Sequence, residues 1–127
     1  MKACKVTITT TADGQENTIV RDGEMELSVS KITLVYREPS AAVRMQLEGE
    51  TAIVERMGDY TLCLHLSRGK ITEGEIGIGG SSGPIQSFTH RVNYSATENS
   101  LLLALRYDLI ILGDTQKMQL RLTSRYI

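Results

Sequence analysis

Apolar and polar residues alternate with a period of two along most of the 127-residue chain, the spacing of strands that bury one face. Val6 and Ile8 alternate with Lys5, Thr7 and Thr9, and Thr18–Val20 fills the next interval. Leu27 and Val29 share one phase; Ile32, Leu34 and Tyr36 share the other. The slip at Ser30-Lys31 predicts a tight turn or a bulge. Val43, Met45 and Leu47 oppose Arg44, Gln46 and Glu48, and Tyr60, Leu62, Leu64 and Leu66 oppose Thr61, Cys63, His65 and Ser67. Phe88, His90, Val92 and Tyr94 share a face opposed by Ser87, Thr89, Arg91 and Asn93. Turn residues punctuate these segments at Asp13-Gly14, Asp22-Gly23, Pro39-Ser40, Met57-Gly58-Asp59, Arg68-Gly69, Gly79–Pro84, Thr97–Asn99 and Gly113-Asp114. The pattern predicts an all-β fold: one antiparallel, mostly up-and-down barrel of about eight to ten strands, since closure hides the edges of so long a meander. Residues 1–127 form a single domain on this reading.

The clearest hairpin lies in Ser100–Ser124. A Gly113-Asp114 loop of type II′ sets Leu105 opposite Leu122, Tyr107 opposite Leu120 and Leu109 opposite Met118, all on one face. The same register sets Arg106 against Arg121 on the other face, a like-charge pair that needs compensation. Asp108 on the diagonal relieves it, and a bound anion or an acidic partner residue would do so better. One stretch dissents from the strand pattern: Ala41–Met57 is rich in good helix formers. Gly49 and the clean alternation of residues 43, 45 and 47 favour two strands turning near Glu48-Gly49-Glu50, with a short capping helix as the alternative.

Composition narrows the function classes. The formal net charge is −1, which lacks the basic footprint of a nucleic-acid binder. The N-terminus has no apolar leader, and no apolar run reaches the length of a membrane span. Cys4 and Cys63 lie far apart without metal-like spacing and read as free thiols in a reducing compartment. The expectation is a cytoplasmic protein with no cofactor, no metal, no nucleic-acid partner and no membrane partner. Aromatic content is low, with no Trp and one Phe, which speaks against a site for flat, bulky ligands.

Few residues suggest chemistry. Ile76–Gly83 has the glycines of a phosphate cradle, but Pro84 and an alternating strand follow where that cradle needs a helix start. It reads as a flexible connection, or at most a lid over a barrel mouth. His90 shares its face with Phe88, Val92 and Tyr94, so the pattern points it inward, where it would hold a ligand's polar end or act as an acid or base. The plainer alternative, an imidazole bonded to Tyr94 or to a backbone carbonyl, is preferred because no nucleophile or carboxylate shares that strand face. His65 lies on the outward phase with Cys63, too few ligands for a metal site. Glu48, Glu50, Glu73 and Glu75 read as solvated surface charge, and Arg37, Arg44, Arg56, Arg68, Arg91 and Arg125 are scattered. No Ser/His/Asp or Cys/His constellation assembles.

Three stretches carry a family resemblance: Gly23–Leu27 leading into Lys31–Glu38, Arg56-Met57-Gly58, and Leu103-x-Leu105-x-Tyr107-x-Leu109 before the last apolar strand. Their order resembles the YwiB-like family of small bacterial proteins of unknown function, which has a calycin-like (lipocalin-like) β-barrel. Gly79–Pro84 stands where that family's Thr-Pro-x-Gly turn is expected. The resemblance implies a fold and no activity.

Two functions follow. A barrel of this size encloses packed side chains or one small ligand. The bulky predicted inner face, Val29 among it, leaves room only for a shallow site at the mouth, marked by Tyr36, Phe88, His90, Tyr94 and Tyr107, for a small hydrophobic or amphiphilic molecule. The alternative is a filled, non-catalytic barrel that forms a homodimer or binds a protein partner through the outward face of the hairpin. There Leu102, Ala104, Ile110 and Leu112 are too apolar for an exposed wall, and Arg106 and Arg121 complete the expected interface. An enzyme is the least supported reading.

Overall fold

A computed structural model describes residues 1–127 and contains no helix. Ten strands run in order: β1 (Lys2–Ala12), β2 (Gln15–Leu27), β3 (Ile32–Glu38), β4 (Ala41–Glu48), β5 (Thr51–Gly58), β6 (Tyr60–Ser67), β7 (Ile71–Ile78), β8 (Ser81–Ala96), β9 (Ser100–Ile111) and β10 (Asp114–Tyr126). Each pairs antiparallel with the next, and β1 returns to β10 to close the barrel, with Cys4 opposite Tyr126 and Ala12 opposite Met118. Closure leaves no complete edge strand to template aggregation. The segment 41–57 is the strand pair β4–β5, joined through Gly49-Glu50, so alternation outweighed helix propensity.

The alternation maps onto the wall as the pattern predicts for most strands. Cys4, Val6 and Ile8 of β1, Leu34 and Tyr36 of β3, Val43, Met45 and Leu47 of β4, and the odd residues of β9 from Leu101 to Leu109 all face inward. They belong to one cluster of 23 buried hydrophobic residues that fills the barrel. The predicted inner face needs one correction there. Val29 is fully exposed, because Ser28–Lys31 is a turn in which Ser28 N–H donates to the Lys31 carbonyl at 3.2 Å.

The β9–β10 register differs from the expected one. Leu105 faces Leu120, Tyr107 faces Met118 and Leu103 faces Leu122. The loop is therefore Leu112-Gly113, with φ of 51° and 85°, the left-handed pair of a type I′ turn. A slide of one full pleat period keeps every side chain on its face, so alternation is blind to it. It does change the pairs across the outer wall. Arg121 faces Ala104 and Arg106 faces Gln119, and Arg121 lies 3.6 Å from Glu16.

β8 carries the one irregularity that matters for the site. Ile85 and Val92 are both buried, yet they differ in parity. A strand can turn both inward only if an extra residue falls between them. The register shifts between Thr89 and Arg91, leaving His90 as the bulged residue. Thr89 is clasped from the β6–β7 turn: Gly69 N–H donates to its carbonyl at 2.8 Å, and its own N–H donates to the Lys70 carbonyl at 3.3 Å.

Candidate functional site

The bulge decides where the expected site residues go. Ser87 and Thr89 are buried, so Phe88 and His90 lie on the outer face, contrary to the inward placement expected from the pattern. His90 Nε2 sits 2.9 Å from Asp108 Oδ2 on the neighbouring strand. The Phe88 ring meets the imidazole edge-on, centroids 4.8 Å apart. A carboxylate partner for His90 thus exists across the strand pair, where a search along its own strand does not find it. Past the bulge Val92 is buried and Tyr94, opposite Leu103, is half-buried. The five expected mouth residues do not converge: Tyr36 and Tyr107 are inside, Phe88 and His90 outside, and Tyr94 lies five residues further along β8 than Tyr107's partner Thr89.

A different polar group gathers where β3 ends. Pairing between β2 and β3 stops at Gly23 and Tyr36, so β2 continues to Gln15 without a β3 neighbour and the wall parts. Tyr36 and Tyr107 are buried in this region. Burial pushes the Tyr107 phenol up to about 12, with a smaller contribution from Tyr60. It raises Tyr36 further, with Glu38 and Tyr107 acting in the same direction. Arg56 shares the inward phase of Ala52 and Val54, and its side chain is 12% exposed. It donates to the Tyr60 carbonyl at 2.8 Å, lies 2.8 Å from Asp59 and 3.8 Å from Glu38, and stacks 3.7 Å above the Tyr60 ring. The hydrogen bond from Arg56 holds the Asp59 carboxyl below its ordinary range. Arg56 is therefore neutralised by its own neighbours.

Arg21 is not. It is half-buried on the inward phase of Ile19 and Met25, beyond the last β2–β3 pair. Its Nη1 donates to the Val20 carbonyl at 2.9 Å, its Nε is buried without a partner, and it forms no ion pair with any of the carboxylates of the chain. Ile19, two residues from Arg21 on the same face of β2, packs half-buried against the core. Arg21 and Arg56 are the residues that reading the chain for conventional motifs misses. Their phase relative to Met25 and Val54 is the signal that finds them.

The outer face of the hairpin is less continuous than expected. Leu102 is 60% exposed and Leu112 fully exposed, but they lie at opposite ends of β9 with Arg106 and Asp108 between. Ala104 and Ile110 are half-buried. A depression of about 280 Å³ borders Leu102, Ala104 and Arg121. Cys4 and Cys63 are unpaired, and burial pushes both thiols up. No group of three or more His, Cys, Asp or Glu side chains is placed to hold a metal.

Comparisons with known proteins agree with this architecture. A family model described as a domain of unknown function, DUF1934, matches residues 2–122. The crystal structure of the ywiB protein from Bacillus subtilis superposes with a TM-score of 0.85 at 14% identity, covering 99% of this chain and 92% of that one. At that identity the likeness speaks for the fold alone. No curated protein matches the sequence.

Proposed function

This chain belongs to the DUF1934 family, which supplies a fold and no activity, and we propose that it is a binding module for a small amphiphilic anion at the parting of β2 and β3. One observation carries the reading: Arg21 turns into the barrel wall with a buried, unpartnered Nε and no carboxylate to balance it. A buried donor left unsatisfied costs about 1–3 kcal/mol, and more when it is charged; an anionic head group at the guanidinium offsets that cost. Ile19, two residues away on the same face of β2, supplies apolar surface for the rest of a short amphiphile. The buried cluster of the interior keeps the site shallow in this reading, and no long chain enters the barrel. In this reading the protein is cytoplasmic, needs no cofactor and catalyses nothing.

The test uses the amphiphilic anion anilinonaphthalene sulfonate, whose fluorescence rises on leaving water. The native protein should bind it saturably, and Arg21→Gln should weaken that binding on the order of tenfold. Arg21→Lys, which keeps the charge, should restore part of it. Absence of saturable binding, or equal binding by Arg21→Gln, defeats the proposal. Exposed Leu102 beside its depression favours a second reading, self-association through the outer wall. Light scattering that shows a dimer, reverting to monomer in Leu102→Asp, would establish it.

A further inference from the structure

The bulge that turns His90 outward also builds a cleft on the outer wall, distinct from the parting of β2 and β3. It has a volume of about 490 Å³ and is lined by Thr11 and Gly14 of the first hairpin, His90, Arg106, Asp108, Lys117, Met118 and Gln119. That volume lies within the roughly 300–1,000 Å³ typical of small-molecule sites. We propose that this cleft binds a small doubly charged oxyanion of the phosphate-ester class.

Charge bookkeeping across the strands supports the assignment. The register places Arg91 directly opposite Arg106 on the outer face, and both are exposed. Like charges in that position repel, and neither guanidinium has an ion-pair partner among the six pairs of the structure. The like-charge pair expected across β9–β10 is thus present across β8–β9 instead. Lys117 lies opposite Asp108, and its ammonium is also unpaired. Asp108 is the only carboxylate in the lining, and it faces His90 at 2.9 Å. His90 is held by Phe88 on one side and Asp108 on the other, and neither Arg106 nor Lys117 comes within ion-pair distance of that carboxylate. Asp13, in the loop of the first hairpin, accepts from the Lys117 backbone N–H at 2.9 Å, which fixes its position, and it forms no ion pair with Arg106 or Lys117.

What remains is an unpaired guanidinium and an unpaired ammonium around one concavity, with Thr11 and Gln119 as neutral hydrogen-bonding groups. A forked guanidinium and a point-charge ammonium together suit the oxygens of a phosphate monoester. A dianion there would also relieve the Arg91–Arg106 repulsion, which a monoanion would do less well. His90 and Asp108 are positioning residues in this site; the ligand contacts are Arg106 and Lys117.

Isothermal titration of the full chain tests the proposal, with ribose 5-phosphate, inorganic phosphate and succinate as probes at ionic strength fixed with sodium chloride. Ribose 5-phosphate should bind with one-to-one stoichiometry. Arg106→Gln and Lys117→Gln should each weaken it by about tenfold or more, while Arg121→Gln, outside the lining and paired with Glu16, should not. Arg106→Gln should be no less stable than the native chain without ligand, because it removes a repulsion, so lost binding cannot be charged to unfolding. Inorganic phosphate binding as tightly as the ester keeps the site and names the free ion as its source. Preference for succinate overturns the phosphate assignment. Binding that disappears at matched chloride, or survives both lining substitutions, overturns the site.

Discussion

Raising the pH should loosen this barrel from the inside, through the two tyrosines buried where β3 ends. A phenol in the unfolded chain titrates near about 10, whereas burial pushes Tyr107 up to about 12. Between those values the unfolded chain has released a proton that the folded chain keeps. The neutral phenol's contribution to stability is therefore complete below about pH 10 and is lost as the pH climbs through the folded value. The slope is about 1.4 kcal/mol per pH unit for one such group, so Tyr107 accounts for a loss of roughly 2.7 kcal/mol across the window. Tyr36, raised for the same reason and further by Glu38, adds a loss of the same sign in the same range. Against a total stability of about 5–15 kcal/mol, this is enough to move a urea midpoint visibly. Urea unfolding at steps from about pH 9 to 12 should show the decline, and Tyr107→Phe, which has no phenol to ionise, should lose about half of the tyrosine-dependent slope. Parallel curves for native chain and variant would refute the reasoning, because the phenol would then be titrating as freely in the folded state as in the unfolded one.

Two further substitutions probe the wall at single atoms. The Thr89 Oγ1 is buried without a partner, so Thr89→Val should raise stability by up to about 1 kcal/mol in urea unfolding, because an unmade hydrogen bond is removed at constant shape; a loss of stability would mean that the hydroxyl is satisfied. Leu112 holds φ at 51°, which costs a branched residue roughly 1–2 kcal/mol, so Leu112→Asn should create the favoured Asn-Gly type I′ loop and raise the thermal midpoint, with no change expected if the loop simply relaxes to another turn.

The architecture was legible because its information is carried by parity. Leu34 and Tyr36, Val43 through Leu47, and Leu101 through Leu109 each commit one face to the core, and a meander of such strands closes on itself with little further instruction. Parity also explains the error in the last hairpin. Pairing Leu105 with Leu122 or with Leu120 buries the same side chains, so parity cannot choose between them. Gly113-Asp114 looks like a sound type II′ loop, and the chain instead places Leu112 in a left-handed conformation that leucine seldom adopts. The neighbours on either side, β8 for β9 and β1 for β10, hold the two strands in the observed register.

The candidate chemistry was less legible, for two different physical reasons. Arg56 and Arg21 follow the alternation faithfully; they escape notice because an inward arginine contradicts the habit of assigning charge to solvent. Once Ala52 and Val54 are placed inside, Arg56 must follow, and Glu38 and Asp59 stand ready to neutralise it. His90 is the opposite case. Phe88, His90, Val92 and Tyr94 alternate without a break, yet Ile85 on the other parity is also buried, and the two demands conflict. An extra residue between Ile85 and Val92 resolves the conflict, but several positions would satisfy it equally. The Gly69 and Lys70 backbone groups choose among them by gripping Thr89 from a turn some twenty residues earlier, so that Thr89 stays in register with Tyr107 and the next residue is the one displaced. The bulge falls on His90 and aims it at Asp108. A strand read alone yields its conflict but not its resolution, and here the resolution is what turns the one imidazole of β8 out of the barrel and into a wall cleft where it meets a carboxylate.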